Sequence, residues 1–311
     1  MDASRLLPRQ DRYDYHPLPE RADWDWPEGR RLAFCVTTNI EAYAFGSGLG
    51  PDPARQDGVQ TQRNFAWRDY GNRVGIWRLF ELADELGLPL AHNVNSLIYQ
   101  VAPQIMTVIR KRGDEFVGHG RSNAESIRGM WEADEAELIA QASAAFVTHE
   151  GRMPAGWMGP GGIESARTLD LLKEAGYRYV MDWPLDDQPV WLRTRSGPIL
   201  CVPYPIELND IGTNVLRHES AETFADMIVC QFEEMVRQCE RAPLVMNVSL
   251  HPFIVGQPFR LWRLRQALQH CRTHALRERV WWTRPGEIAT FCESLPAGTL
   301  AGSQSATADR S

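Results

Sequence analysis

Short apolar segments alternate with longer segments of helical periodicity along most of the chain. The runs RRLAFCVTTN, LPLAHNVNS and EFVGHG are short, apolar and rich in β-branched residues, which is typical of buried strands. Between strands lie segments such as GNRVGIWRLFELADELG, residues 71–87, with apolar residues at helical spacing and a final glycine that favours a helix end. The pattern predicts about seven strand–helix units.

Repeated strand–helix units predict a parallel sheet covered by helices. About seven units with short connections favour a closed or nearly closed barrel over an open sheet, and no GxGxxG sequence follows the first strand. We therefore predict an α/β fold in the form of a distorted (β/α)7-type barrel that makes a single domain.

Composition at the ends of the chain predicts the domain limits. Residues 1–30 are polar without a clear period and predict an arm, residues 31–295 predict the barrel domain, and residues 296–311, rich in Ala, Gly, Ser and Thr, predict a disordered tail. Residues 42–70 contain Gly and Pro with little periodicity, which predicts a long loop. A loop of that length is usually functional, and here it would roof the pocket.

Charge and hydropathy exclude several classes of partner. The chain has 311 residues, of which 43% are hydrophobic, and a net charge of −7. This acidic balance argues against nucleic-acid binding. No apolar run approaches about 18 residues and the N-terminus lacks a signal-peptide pattern, so we predict a cytoplasmic protein with no membrane partner. The six cysteines form no CxxC pair and are predicted to be reduced packing residues.

Polar residues collect where the predicted strands end, which is where the active sites of α/β barrels lie. These residues are Asn39, Glu41, His92, Asn93, Asn95, His119, Trp157, Gly159, Pro160, Asp182, Asp186, Asp187, Tyr204, Glu207, Asn209, Asp210 and His251. Ionisable groups crowded in a cleft shift one another's pKa values, as acid/base catalysis requires. Each residue alone has a structural interpretation, for example a buried core histidine at His119 or His251, but their coincidence favours a site.

The sequence HGRSN, residues 119–123, raises the question of a metal. Two histidines at this spacing would bind a divalent cation from one helical turn. Here the second position is Asn123, whose amide is a weak zinc ligand but an acceptable one for harder cations.

Five segments resemble, in order, the motifs of the polysaccharide deacetylase superfamily, which has the nodulation-type deacetylase fold. They are TTNIEAY, HGRSN, GWMGPGG, the two pocket loops DWPLDDQP and PYPIELND counted as one, and SLHP. The resemblance runs from about residue 12 to residue 295. The chain most resembles the branch that contains metal-independent allantoinases, cyclic imide hydrolases and peptidoglycan-deacetylase-like proteins. Asn39 stands where the superfamily has its catalytic Asp, Glu41 where it has a metal-binding Asp, and Asn123 where it has the second His of HxxxH.

The resemblance implies a hydrolase of non-peptide C–N bonds, in an amide, cyclic imide or ureide of small size. In this hypothesis Glu41 and His119 activate water, His251 protonates the leaving nitrogen, Asp187 orients a histidine or binds substrate, and backbone N–H groups of residues 159–162 bind the oxyanion. The predicted substrate-binding residues are Asn39, Asn123, Trp157, Gly159, Pro160, Asp182, Trp183, Tyr204, Glu207 and Asn209.

The predicted cofactor is either none or one weakly bound divalent metal, zinc above others, on Glu41, His119 and Asn123. Two alternatives stay open at this point: a metal-dependent N-deacetylase of an amino sugar or glycan, and a catalytically inactive protein that binds a small molecule or glycan. The acids around the site disfavour the inactive alternative. The predicted partners are a small-molecule substrate and further copies of the chain, in a tetramer or dimer by analogy with the fold.

Overall fold

The structure is a computed structural model that describes residues 9–45 and 61–303. Its centre is a nine-stranded sheet. The strands are β1 Leu32–Ile40, β2 Ala91–Val94, β3 Glu115–Gly118, β4 Gly156–Trp157, β5 Tyr179–Val180, β6 Val190–Leu192, β7 Ile199–Cys201, β8 Leu244–Leu250 and β9 Val280–Trp282. The helices are α1 Gln62–Tyr70, α2 Ile76–Leu86, α3 Ile98–Val101, α4 Pro103–Arg112, α5 Glu132–Glu150, α6 Thr168–Glu174, α7 Ala221–Gln238, α8 Pro252–Val255, α9 Pro258–Thr273 and α10 Pro285–Ser294.

The sheet is curled into a nearly closed barrel. Its strand order is β6-β7-β5-β4-β3-β2-β1-β8, and β9 pairs with the first half of β1. Each of these pairs is parallel except β6 with β7. The other edge of β8 is bonded to segments that flank β6 and β7: Val245 donates its N–H to the Asp187 carbonyl, and Asn209 bridges to Ser249. The prediction of a distorted single-domain (β/α) barrel is confirmed.

Strand periodicity in β1 sets the direction of the site residues. Leu32, Phe34 and Val36 pack in the cluster that the strands share with α2, α7 and α9. Ala33 and Cys35 belong to a second cluster between the strands. Because alternate residues of a strand face opposite sides, Asn39 shares the inner face with Ala33 and Cys35. Glu41, just beyond the strand, follows the same alternation, and the side chains of Asn39 and Glu41 line one cavity.

The loop predicted for residues 42–70 is wrong for residues 62–70. Gln62–Tyr70 form α1, which continues through one π-helical turn, Gly71–Gly75, into α2. Thr61 caps the start, since its side chain accepts from the N–H of Asn64. The buried residues of α1 are the polar Asn64 and Arg68, so no apolar period marks this helix in the sequence. Residues 46–60 lie outside the described residues.

Both terminal segments pack on the barrel where they are described. Residues 9–30 are irregular apart from two 3-10 turns, and the arm is fixed by ion pairs of Arg12 with Asp170 and of Arg21 with Asp186. The predicted disordered tail is wrong for residues 296–303, because Leu300 is buried and the carbonyl of Ala301 accepts from the N–H of Trp191. Residues 1–8 and 304–311 lie outside the described part.

Two further predictions can be compared with the structure. All six cysteines are free thiols and five of them are buried, in agreement with packing roles. Across residues 9–45 and 61–303, none of the helices combines the length and the apolar character that a membrane span needs.

Candidate active site

A cavity of about 780 Å³ opens at the carboxyl ends of β1, β3 and β8. Nine of the predicted site residues line it: Asn39, Glu41, His119, Asn123, Pro160, Asp182, Tyr204, Asn209 and His251. Two residues that the sequence analysis did not select, Tyr43 and Arg68, line it as well.

Glu41 lies between the two histidines. Its Oε1 is 3.6 Å from His251 Nε2 and 3.9 Å from His119 Nε2, and it accepts a 2.6 Å hydrogen bond from Asn123 Nδ2. The Tyr43 hydroxyl donates to Oε2. Burial raises the pKa of Glu41, but the neighbouring histidines and the Tyr43 hydroxyl outweigh burial and lower that pKa to about 2. Glu41 is therefore ionised at neutral pH, beside a His251 ring that its charge helps to keep protonated.

His119 presents a free ring nitrogen to this carboxylate. Its Nδ1 bonds to the carbonyl oxygen of Met158, which can only accept, so Nδ1 carries the hydrogen. In the neutral ring the lone pair is then on Nε2. Within the described part of the chain, this buried Nε2 has no hydrogen-bond partner. A buried polar atom left unpaired costs about 1–3 kcal/mol, so this nitrogen is suited to receive a water or a substrate group.

His251 is held by a fully buried carboxylate. Asp210 Oδ1 lies 2.6 Å from His251 Nδ1, and Asp210 Oδ2 accepts the backbone N–H of His251 at 2.7 Å. Burial lowers the pKa of the His251 imidazole, but the negative charge and hydrogen bond of Asp210, with the charge of Glu41, raise it above its ordinary value. The arrangement stabilises a protonated ring whose Nε2 faces the cavity.

Asn39 belongs to a buried network of uncharged groups. Its Oδ1 accepts from Asn93 Nδ2 at 2.8 Å, and its Nδ2 donates to the Leu250 carbonyl and to Ser249 Oγ at 3.2 Å. The Tyr204 hydroxyl, 2.5 Å from Ser249 Oγ, completes the network. Both ends of the Asn39 amide are engaged, so this residue supports the floor of the cavity and supplies no base.

Comparisons with known proteins find polysaccharide deacetylases among the relatives of this chain. No family model matches the chain. A curated protein of Schizosaccharomyces pombe named "Putative polysaccharide deacetylase" is 23% identical over 298 residues, which is 85% of this chain and 91% of the relative. The crystal structure of a probable polysaccharide deacetylase from Pseudomonas aeruginosa PAO1 is 26% identical with a TM-score of 0.73 and covers 88% of this chain and 93% of its own.

The chain is similar in sequence and in fold to proteins named polysaccharide deacetylase. The predicted resemblance to the polysaccharide deacetylase superfamily is thus confirmed. The crystal structure of Puue allantoinase has the same fold, with a TM-score of 0.76 at 24% identity, and covers 92% of this chain and 97% of its own.

The superfamily position of Asn123 is that of a metal ligand, but its oxygen does not point to a metal. Asn95 Oδ1 accepts from the backbone N–H groups of Ala42 and Asn123, so Asn95 Nδ2 must donate, and one of its acceptors is Asn123 Oδ1 at 3.0 Å. This fixes the Asn123 amide with Nδ2 towards Glu41. Backbone donors determine the direction of both amides, and this direction does not support the predicted role of Asn123 as a metal ligand.

The other candidate metal ligands at this site do not fit a zinc site. Zinc sites use three or four strong nitrogen, sulfur or carboxylate ligands. Glu41 and His119 supply two, and the ring of His251 is held by Asp210 and faces Glu41 as a donor. Among the described residues no group of three His, Cys, Asp or Glu side chains has the geometry to hold a metal ion.

Two predicted site residues lie outside the cavity. Asp187 and Glu207 border a different cavity of about 680 Å³, and both are exposed. Glu207 pairs with Arg217 at 2.6 Å. The prediction that Asp187 orients a histidine is wrong, since Asp210 contacts His251.

Three more predicted residues surround the cavity without lining it. Trp157 is buried edge-on against Tyr177, and Trp183 donates its Nε1–H to Glu164. The N–H of Gly159 donates to Asp182 Oδ1 at 2.6 Å. The N–H of Gly162 is also engaged, by the carbonyl of Gly159. These two amides are not free to bind an oxyanion, so the predicted oxyanion role of this loop is wrong for them.

The sequence analysis missed a chain of donors to Glu41. Arg68 donates to the Tyr43 hydroxyl at 2.5 Å, and Tyr43 donates to Glu41. Tyr43 follows Glu41 by two residues, so a two-residue alternation continued from Asn39 and Glu41 could have selected it. Arg68 lies in a helix with no apolar period and left no such signal.

Proposed function

We propose that this chain hydrolyses a C–N bond in a small cyclic imide, ureide or amide. Hydrolases acting on C–N bonds other than peptide bonds are the enzyme class of the relatives named deacetylase and allantoinase, and the chain is an enzyme of this class. The observation that supports hydrolysis of a small cyclic imide, ureide or amide is the unpartnered Nε2 of His119. This atom lies beside the Glu41 carboxylate and across from the His251–Asp210 pair.

In the proposed reaction, His119 is the base. A water held between Glu41 Oε1 and His119 Nε2 attacks the carbonyl carbon, and its proton passes to Nε2 as the new C–O bond forms. Glu41, with a pKa of about 2, is too weak a base for this proton at neutral pH. Its charge instead orients the water and stabilises the imidazolium that forms on His119.

His251 is the proposed acid. As the tetrahedral intermediate collapses and the C–N bond breaks, His251 Nε2 gives its proton to the leaving nitrogen. Asp210 stabilises the charged ring before this transfer and fixes its direction through two hydrogen bonds. A cyclic imide or ureide gives one ring-opened product that carries a carboxylic acid and an amide or urea group, whereas a simple amide gives a carboxylic acid and an amine. Solvent then returns the two histidines to their starting protonation states.

The floor and sides of the site favour this chemistry over the alternatives. A metal-dependent deacetylase needs ligands that the described residues do not offer, and a protein that only binds would not need an aspartate–histidine pair facing a second, unpartnered histidine.

We further propose a cytoplasmic homo-oligomer, a dimer or tetramer, with a small molecule rather than a polymer as substrate. Light scattering measures the mass that tests the oligomer.

The test is an assay of hydantoin, succinimide and allantoin beside an N-acetylglucosamine oligomer, each with wild type and the variant His119→Gln. Opening of a ring by wild type and not by the variant is expected. Release of acetate from the oligomer with no ring opening would contradict the proposal.

A further inference from the structure

The two halves of the barrel give the cavity two chemically different walls. The segments after β1, β3 and β8 supply Glu41, His119 and His251. The segments after β4, β5 and β7 supply mainly apolar side chains, namely Met158, Met181, Pro205, Ile206, Ile211 and Leu216. Because β4, β5 and β7 are neighbours in the sheet, these side chains form one continuous surface, which we term the apolar wall.

The outer part of the apolar wall is exposed. Ile206 is 68% and Leu216 is 49% exposed, whereas Met181 at the inner end is buried. Exposed apolar groups that border a cavity are a common sign of a ligand surface. The wall therefore extends from the catalytic groups to the mouth.

The polar residues on this half leave the wall apolar because most of their polar atoms are engaged elsewhere. Tyr204 points its hydroxyl to Ser249, and Asn209 Oδ1 accepts from the N–H of Ile211. Asp182 Oδ1 accepts from Gly159. The second Asp182 oxygen is buried at the inner end of the wall and has no hydrogen-bond partner among the described residues. The inner end therefore carries one polar atom, and the outer end offers apolar contact.

We infer that the substrate is amphipathic, with the cyclic imide or ureide at the histidines and an apolar substituent on the apolar wall. This inference rests on the proposed function and narrows its substrate class. A bare five-membered ring would leave most of the 780 Å³ cavity to water. An alkyl or aryl group would instead replace that water along Met158, Ile206 and Leu216.

The experiment compares hydantoins that share one scissile ring: hydantoin, 5-methylhydantoin, 5-butylhydantoin and the polar 5-ureidohydantoin, which is allantoin. Burial of one methylene corresponds to roughly a fourfold change in binding. We expect kcat/KM to rise by up to about fourfold per added carbon and 5-butylhydantoin to exceed 5-ureidohydantoin. The ratio of kcat/KM for 5-butylhydantoin to kcat/KM for hydantoin should fall at least threefold in Leu216→Ser.

Val147→Ser is the matched control. Val147 is 46% exposed on α5 and lies outside the cavity lining, so it should keep the full gain. Turnover that is equal along the series, or highest for the ureido compound, would overturn the inference and leave the proposed function standing. Absence of turnover for all four hydantoins and for succinimide would overturn both.

Discussion

Replacing Asp210 by Asn would remove the charge that keeps His251 protonated, with little change in shape. Asp210 is fully buried and its Oδ1 lies 2.6 Å from His251 Nδ1. A hydrogen bond to a charged group is worth about 1.5–3 kcal/mol. Since one pKa unit corresponds to about 1.36 kcal/mol, the pKa of His251 should fall by about 1–2 units.

The sign of this effect on activity follows from the proposed role of His251. An acid must be protonated, so activity falls as pH rises through its pKa, and Asp210 raises that pKa in the wild type. In Asp210→Asn the alkaline limb of the kcat profile should move to lower pH by about 1–2 units. At a pH above the alkaline limbs of both proteins, kcat of Asp210→Asn should be about 10–100-fold lower than kcat of the wild type.

Two assays measure the effect. The pH profile of hydantoin hydrolysis gives the limb, and NMR titration of the imidazole signals gives the pKa of His251 without a substrate. The matched control is Asp187→Asn, which removes a carboxylate outside the cavity and should leave both quantities unchanged. An unshifted His251 titration in Asp210→Asn, in a folded protein, would refute the reasoning.

Two other predictions concern the base and the arm. His119→Gln should lower kcat by about 10²–10⁴-fold while the melting temperature changes little, and near-wild-type turnover would contradict the role of His119 as base. Hydrogen bonding to Arg12 lowers the pKa of Asp170 to about 2, so the stabilisation is present above the ordinary carboxyl pKa near 4 and is lost as pH falls towards 2. Arg12→Gln should therefore lower the free energy of unfolding at pH 7 more than at pH 3, as urea titrations at the two pH values would measure, and an equal loss at both would argue against the ion pair.

Much of the barrel and the centre of the site could be predicted because they depend on local pattern. The apolar run of β1 predicted a buried strand, and Asn39 was selected because it stands at the carboxyl end of that strand. His119 and His251 were predicted because each follows a buried strand, β3 or β8, at its carboxyl end. Parallel strands bring these ends together, so sequence order was enough to collect the residues.

The errors fall where local pattern carries no direction. Asp187 lies in a loop and Asp210 at the start of a π-helical turn, Ile211–Leu216. Only the three-dimensional path of these segments shows which of the two carboxylates contacts His251. The orientation of Asn123 depends on backbone donors of Ala42 and of Asn123 itself, acting through Asn95. Such contacts are set by tertiary packing, which a single sequence does not display.

The measurement that tests the central claim most directly is turnover of the hydantoin and imide panel by untagged protein after dialysis against a chelator, with metal content determined on the same sample by plasma mass spectrometry. We expect ring opening to persist at full rate with far less than one metal ion per chain, because His119 and Glu41 activate the water. Loss of turnover on chelation, restored by one equivalent of zinc, would contradict it.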